Sequence, residues 1–190
     1  MKVAKKVILV TDGDRIAKGA VETAARNIGA RCISGSAGNP TPLRGPALVE
    51  KIQSAPREPV VVMLDDKGYH GMGRGEEALS YLCRHPEIEV LGVLAVASNT
   101  QNVNGCKVDA SINCDGQWVS GPVDKLGEEV LAPLQNGDTL GVIDSINVPV
   151  VIGIGDIGKM DGADDVVKGA PLTTKALRTI MERSGSLDCG

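Results

Sequence analysis

A chain of 190 residues with a formal net charge of −4 is long enough to bury a core of its own, and we expect one domain spanning residues 1–190. It contains no Phe, one Trp and two Tyr, so the core must be aliphatic and base-stacking surfaces for nucleic acid are not expected. Lys and Arg are scattered along the chain, which also argues against a nucleic-acid partner. The five cysteines form no CxxC pair, so their spacing does not favour a structural zinc site.

The apolar runs are short. The run before Thr11 is too short for a secretory signal, and the longest later run, Val90–Ala97, is too short to span a bilayer. We therefore expect a protein that is soluble or peripheral to a membrane.

The first half of the chain alternates between strand and helix patterns. Apolar runs ending in polar residues predict parallel strands within 6–14, 31–34, 59–66 and 88–98, separated by helices near 16–28, 46–55 and 76–85. This alternation predicts a three-layer α/β/α fold with a mostly parallel sheet, of a Toprim-like or flavodoxin-like kind.

The pattern changes in the second half. Residues 99–137 are rich in Asn, Gly and Ser, and the segments 108–112 and 117–119 flank Asp115-Gly116, which predicts a β-hairpin insertion. Two apolar runs, 139–143 and 148–154, are expected to return the chain to the sheet, before a last helix that begins at Pro171. The insertion holds Trp118, so we expect it to face a partner, although the ring could equally cap the sheet edge.

Four acids end two predicted strands, and these are the first candidates for chemistry. Asp12 and Asp14 follow the first strand, and Asp65 and Asp66 follow the third. Mg²⁺ and Ca²⁺ prefer carboxylate oxygens, so these four residues are our predicted metal ligands, with ordinary solvated turns as the alternative. The arrangement is similar to Toprim domains, which place an acid after the first strand and a DxD pair after the third.

A second interpretation is a haloacid-dehalogenase-like phosphatase. Asp12-Gly13-Asp14 resembles the nucleophile motif of that family, and Gly155-Asp156 with Asp164-Asp165 resembles its late acidic motif. Ser98 and Lys125 come in the right chain order for the remaining positions. Arg15, however, replaces the hydroxyl residue that usually follows the DxD. Both enzyme interpretations amount to Mg-dependent phosphoryl transfer.

Two glycine-rich segments are candidate ligand-binding sites. Gly71, Gly73, Arg74 and Gly75 precede a helix, and their backbone amides predict an anion-binding loop, with a plain surface loop as the alternative. The segment 153–158 matches GxGxxG, but it comes late in the chain and no strand follows the last helix. We interpret it as a tight turn at a strand end rather than a dinucleotide site.

Read together in order, the motifs closely resemble the family of the soluble stage V sporulation protein AE of endospore-forming Firmicutes. The resemblance covers nearly the whole chain and is carried by VILVTDGD (7–14), CISGSAGNPTPLRGPALVEKI (32–52), PVVVMLDDKGYHGMGRGEEAL (59–79), HPEIEVLGVLAVASNT (85–100), VDKLGEE (123–129), GIGDIGKMDGADDVVKGAPLTTKAL (153–177) and ERSG (182–185).

The resemblance implies a spore protein that is soluble or peripheral at the inner membrane. The products of the sporulation V A operon move calcium dipicolinate into the developing spore and release it during germination. The family's soluble AE protein is thought to assist germination with a membrane protein of the same operon. The resemblance supplies no catalytic residues, so we expect an accessory protein rather than an enzyme.

Overall fold

A seven-stranded sheet forms the centre of the computed structural model, which describes residues 3–69 and 71–185. In chain order the strands are β1 (Lys5–Val10), β2 (Arg31–Cys32), β3 (Val60–Met63), β4 (Ile88–Val96), β5 (Ala110–Ile112), β6 (Trp118–Val119) and β7 (Val151–Ile154). They lie in the order β2-β3-β1-β4-β7-β5-β6, and every neighbouring pair is parallel except β5 with β6. The predicted α/β class is confirmed. The order differs from that of flavodoxin, because β3 rather than β1 lies next to β2.

Four helices cover the two faces of this sheet within the described residues: α1 (Arg15–Asn27), α2 (Gly45–Gln53), α3 (Arg74–Arg84) and α4 (Pro171–Arg183). One core lies between the sheet and α1 with α4, and the other lies between the sheet and α2 with α3. Successive side chains of a strand point to opposite faces. Ile8 and Val10 accordingly belong to the first core, while Val7 and Leu9 belong to the second.

The first helix is fixed by its cap and by small side chains. Asp14 precedes α1, and its Oδ1 accepts hydrogen bonds from the amides of Ile16 and Ala17, both at 2.8 Å. An aspartate at this position satisfies amides that have no partner inside the helix. The face of α1 towards the sheet is built largely from alanine, including the fully buried Ala20 and Ala24, so the helix can pack close to the strands.

The hairpin predicted in the insertion is present, but one strand predicted after it is not. Strands β5 and β6 pair antiparallel, which confirms the predicted hairpin. The strand predicted at 139–143 is wrong, because that segment forms turns that lead into a 3-10 helix at Ile143–Ser145. Its apolar side chains, Leu140 and Ile143, are nevertheless buried in the core with α2 and α3. A short apolar run predicts that its side chains are buried, but it does not determine whether the segment forms a strand.

The connections place a crevice between β1 and β3. β1 continues into α1 on one face of the sheet, and β3 continues into α3 on the other. Neighbouring strands whose connections leave on opposite faces form a crevice at their carboxyl ends, where open α/β sheets usually bind ligands. Asp12 and Asp65 follow these two strands.

Among residues 3–69 and 71–185, no helix combines the length and the apolar character needed to cross a membrane.

Candidate functional site

A polar cleft of about 330 Å³ opens at the carboxyl ends of the central strands. Four of its residues each come two positions after a side chain of the core beneath α1 and α4: Asp12 after Val10, Asp65 after Met63, Ser98 after Val96, and Asp156 after Ile154. Strand side chains repeat with a period of two, so residues from four strands continue in the same direction and meet in one cleft.

Three carboxylates form the tightest group in this cleft. Asp12, Asp14 and Asp156 each place an oxygen within 4.8 Å of the others. Oxygens that bind one Mg²⁺ or Ca²⁺ at 2.0–2.6 Å lie at most about 4–5 Å apart across the ion. The donor set and its spacing therefore fit a divalent cation.

Lysine already neutralises two of the three acids. Lys159 Nζ lies 3.1 Å from Asp14 Oδ2 and 3.1 Å from Asp156 Oδ2. Lys125 Nζ lies 3.7 Å from the same Asp156 oxygen. Asp12 makes no ion pair with any residue of the described segments, and its Oδ1 accepts a hydrogen bond from the Asp14 amide at 3.2 Å.

Charge and burial separate the protonation of Asp12 from that of Asp14. Burial, together with the charge of Asp14, raises the pKa of Asp12 from 3.8 to about 7. Burial also acts to raise the pKa of Asp14, but hydrogen bonds from the Ala17 amide and from Lys159 outweigh it and lower that pKa. At neutral pH Asp14 is therefore ionised, while Asp12 is close to its midpoint.

Asp65 and Asp138 extend the acidic wall of the cleft. Burial raises the pKa of Asp65 to about 6, although its Oδ1 accepts a hydrogen bond from the Lys67 amide at 2.7 Å. Asp138 accepts hydrogen bonds from the Gly68 amide at 2.6 Å and from Ser98 Oγ at 3.1 Å. These contacts hold the loop after β3 against the loop after β4.

Asp66 does not face the cleft. Its Oδ1 accepts a hydrogen bond from the Gly75 amide at 2.6 Å, and its Oδ2 accepts one from the Glu76 amide at 3.2 Å. Leu64, two positions before Asp66, lies in the core with α2 and α3, so the strand alternation directs Asp66 towards α3. Of the four acids proposed from sequence, Asp12, Asp14 and Asp65 come together and Asp66 caps a helix.

The same contacts change the interpretation of the glycine-rich loop. The Gly75 amide, one of the donors expected to bind an external anion, is bound to Asp66. Gly73 packs so closely against the Asp66 carboxylate that a side chain there would clash with it. Arg74 and Gly71 are exposed. The anion position at this helix start is therefore filled by the chain's own carboxylate.

Two important residues of the cleft were not in the predicted metal set. In the sequence, Asp156 belongs to the Gly155-Asp156 motif and to the GxGxxG segment, and Lys159 carries no signal beyond lying three residues later. Lys125 and Ser98, proposed for the haloacid-dehalogenase-like interpretation, also line the cleft.

Asp164, from the same interpretation, lies elsewhere and is structural. It is fully buried and accepts hydrogen bonds from the amides of Gly158, Leu172 and Thr173 and from Thr173 Oγ1. These bonds tie the loop after β7 to the start of α4. Asp164 thus has no free oxygen to offer a ligand.

Comparison with known proteins identifies the family. The model of the family described as stage V sporulation protein AE1 matches residues 6–184. Comparisons with curated proteins and with solved structures gave no match. The family match spans both cores of the sheet and every element of the cleft. The chain therefore belongs to the stage V sporulation protein AE1 family, and its role is in sporulation.

Proposed function

We propose that the protein is a non-enzymatic accessory of spore germination that acts with an inner-membrane protein of the same operon, linked to the movement of calcium dipicolinate. The observation that carries this proposal is the family match over residues 6–184. The family assigns a role in sporulation, and the germination step, the partner and a peripheral position at the spore inner membrane are our extension of it.

Exposed apolar side chains of the insertion support a docking role. Leu131 is fully exposed, and Leu126 and Trp118 are 55 % and 38 % exposed. Lys175 Nζ and the Arg183 guanidinium lie 5.5 Å and 5.9 Å from the centre of the Trp118 ring. Large apolar and aromatic side chains left in water are enriched at sites where proteins bind partners.

Affinity capture from spore membranes tests this proposal. The tagged chain should recover a membrane protein of its operon, and the double substitution Leu126→Ser with Leu131→Ser should reduce recovery at least about fivefold. Val167→Ser is the matched control, because Val167 is 93 % exposed but lies outside the insertion. Recovery of no membrane protein with a tag that leaves the insertion free would count against the accessory role.

A second candidate function is Mg-dependent phosphoryl transfer. The observation favouring it is that Asp12, Asp14, Ser98, Lys125 and Asp156 all line one cleft. Asp12, Asp14 and Asp156 would hold the ion, whose charge would stabilise a phosphoryl group. Lys125 would offer a further cation to the phosphoryl oxygens, and Ser98 a hydroxyl donor.

Metal titration and a generic phosphatase assay test this candidate together. Mg²⁺ at millimolar concentration should raise the melting temperature and support hydrolysis of p-nitrophenyl phosphate, and Asp12→Asn should reduce the temperature shift and abolish hydrolysis. Asp115→Asn is the control, since Asp115 is an exposed turn residue of the hairpin. If the metal raises the melting temperature but no hydrolysis occurs, the enzyme hypothesis is wrong and only ion binding remains.

Calcium binding is the remaining alternative for the same acids. A calcium site tolerates more ligands and looser geometry than a magnesium site. Running the titration with both ions separates a calcium sensor from a magnesium enzyme: the sensor requires the larger shift with Ca²⁺ and no hydrolysis.

A further inference from the structure

A second concave surface lies beside the acidic cleft. It is a cavity of about 670 Å³ between the start of α2 and the start of α3, and it shares Lys67 and Gly68 with the acidic cleft. Its volume lies within the range of small-molecule sites, and it too lies beyond the carboxyl end of β3.

Three cations line this cavity from three different parts of the chain. Arg44 precedes α2, Lys67 follows β3, and Arg74 begins α3. None of the three forms an ion pair with another residue of the described segments 3–69 and 71–185. Within those described segments, no carboxylate therefore neutralises these three cations at close range.

The acids of the cavity do not cancel these charges. Asp66 lies in its wall, but its carboxylate is bound to the Gly75 and Glu76 amides, as described above. Glu77 is exposed and lies more than 4 Å from each of the three cations. The cavity thus carries three cations against two acids, one of which is already engaged.

One of the three cations, Lys67, has an unusual backbone conformation. Lys67 has a φ of 55°, a left-handed conformation that glycine or asparagine adopts more readily than lysine. Lys67 lines both the cavity and the acidic cleft.

Apolar surface lies next to these cations. Tyr69 is 63 % exposed and Met72 is 57 % exposed, and both line the cavity. An exposed tyrosine ring offers a flat face on which a planar group can stack, and a methionine adapts its shape to what it contacts. Cations beside a flat apolar face favour a ligand that carries both a negative charge and a flat apolar group.

We propose that this cavity binds a phosphate ester with a flat ring system, the chemistry of a nucleotide. Arg44 and Arg74 bind the phosphate through paired N–H donors, which match the oxygens of a phosphate group. Lys67 contributes a third charge on the side of the acidic cleft. Tyr69 and Met72 contact the ring. This site uses side chains rather than the backbone amides of the glycine-rich loop, and it does not depend on the proposed germination role.

Calorimetric titration of the full chain with AMP, adenosine and inorganic phosphate tests the proposal. The experiment is run in EDTA so that the acidic cleft does not contribute through a metal. AMP should bind, adenosine should not bind measurably, and inorganic phosphate should bind at least about tenfold more weakly than AMP because it lacks the ring.

The variants assign the site. Arg44→Gln with Arg74→Gln should weaken AMP binding at least about tenfold, and Tyr69→Ala should weaken it about threefold or more. Arg57→Gln is the matched control, since Arg57 is exposed at the opposite, amino-terminal end of β3, and it should leave binding unchanged. All four positions are exposed, and unchanged melting temperatures will show that the variants fold.

Three results would overturn the proposal: no AMP binding at millimolar concentration, equal binding of adenosine and AMP, or equal losses in the Arg57 control and the double arginine variant. Equal binding of inorganic phosphate and AMP would overturn the nucleotide chemistry.

Discussion

Lys159 Nζ lies 3.1 Å from Asp14 Oδ2, a contact that joins positions 145 residues apart and links the loop after β7 to the cap of α1. The same nitrogen contacts Asp156, so a single cation serves two of the three clustered carboxylates. Burial acts to lower the pKa of Lys159, but its hydrogen bonds with Asp156 and Asp14 outweigh burial and raise it. Lys159 is therefore charged at neutral pH, and it competes with a divalent cation for Asp14 and Asp156.

Replacing Lys159 should therefore have two opposite effects. In EDTA, Lys159→Gln should lower the free energy of unfolding by about 1–2 kcal/mol at pH 7.5, because Asp14 and Asp156 lose their shared cation. If the three carboxylates hold a metal, the same variant should bind Ca²⁺ more tightly, because no internal cation competes. Thermal unfolding at a series of Ca²⁺ concentrations measures both effects. Lys168→Gln serves as the control, since Lys168 is exposed and binds only a backbone carbonyl within the residues described.

The raised pKa of Asp12 predicts that the free energy of unfolding falls as the pH rises. In the folded chain this pKa is about 7, against 3.8 for the unfolded chain, so between about pH 4 and pH 7 the folded state binds more protons. Stability contributed by the protonated form is therefore lost as pH rises through that window, and it stays constant above it. Asp12→Asn removes the ionisation while it keeps the oxygen that the Asp14 amide contacts.

The variant should accordingly match the parent chain at pH 4 and exceed its stability above pH 7.5. The expected gain is on the order of 2 kcal/mol after allowance for solvent screening, or about 4–8 °C in melting temperature. Denaturant unfolding in EDTA at pH 4, 6 and 8 measures the gap. An equal gap at all three values would show that Asp12 does not titrate as proposed.

A metal at this site must compete with the proton on Asp12. Because metal binding requires the ionised carboxylate, the apparent affinity should rise about tenfold between pH 6 and pH 8 and then level off. Calorimetric titration with Ca²⁺ and Mg²⁺ at several pH values measures this. In Asp12→Asn the remaining affinity should lose most of its pH dependence, whereas Asp115→Asn should retain it.

Asp164 should matter for folding and not for the cleft. In Asp164→Asn the side-chain NH₂ group would replace either Oδ2, which accepts from the Gly158 amide, or Oδ1, which accepts from the amides of Leu172 and Thr173. In both cases a buried backbone donor loses its acceptor. We expect a loss of about 3 kcal/mol, or about 6–12 °C, with no change in metal binding. Asp165→Asn is the matched control, because the Asp165 side chain accepts only the Val167 amide among described residues and asparagine can replace it as a cap. A loss of metal affinity in Asp164→Asn at a temperature where it is folded would contradict this assignment.

Much of the cleft was already encoded in the strand pattern. Side-chain direction alternates strictly along a strand. The apolar run before each cleft residue therefore determines the face of the sheet towards which that residue points. This holds for Asp12, Asp65, Ser98 and Asp156. Counting back from each acid in steps of two would also have separated Asp65 from Asp66. The α/β class and the hairpin likewise follow from local patterns. The apolar run at 139–143 shows the limit of such patterns, because it predicted burial correctly and the strand incorrectly.

The sequence by itself thus determined the strands, the helix start at Asp14, and a set of acids at strand ends. The tertiary structure alone decided which acids meet. Strand order places β4 and β7 beyond β1, which brings Asp156 and Lys159 to Asp14 across 145 residues, and no local pattern encodes that distance. It also decided that Asp66 caps α3 and thereby fills the anion position of the glycine-rich loop. Helix starts and ion pairs are satisfied by whichever group the fold brings closest, and only the packed sheet determines which group that is.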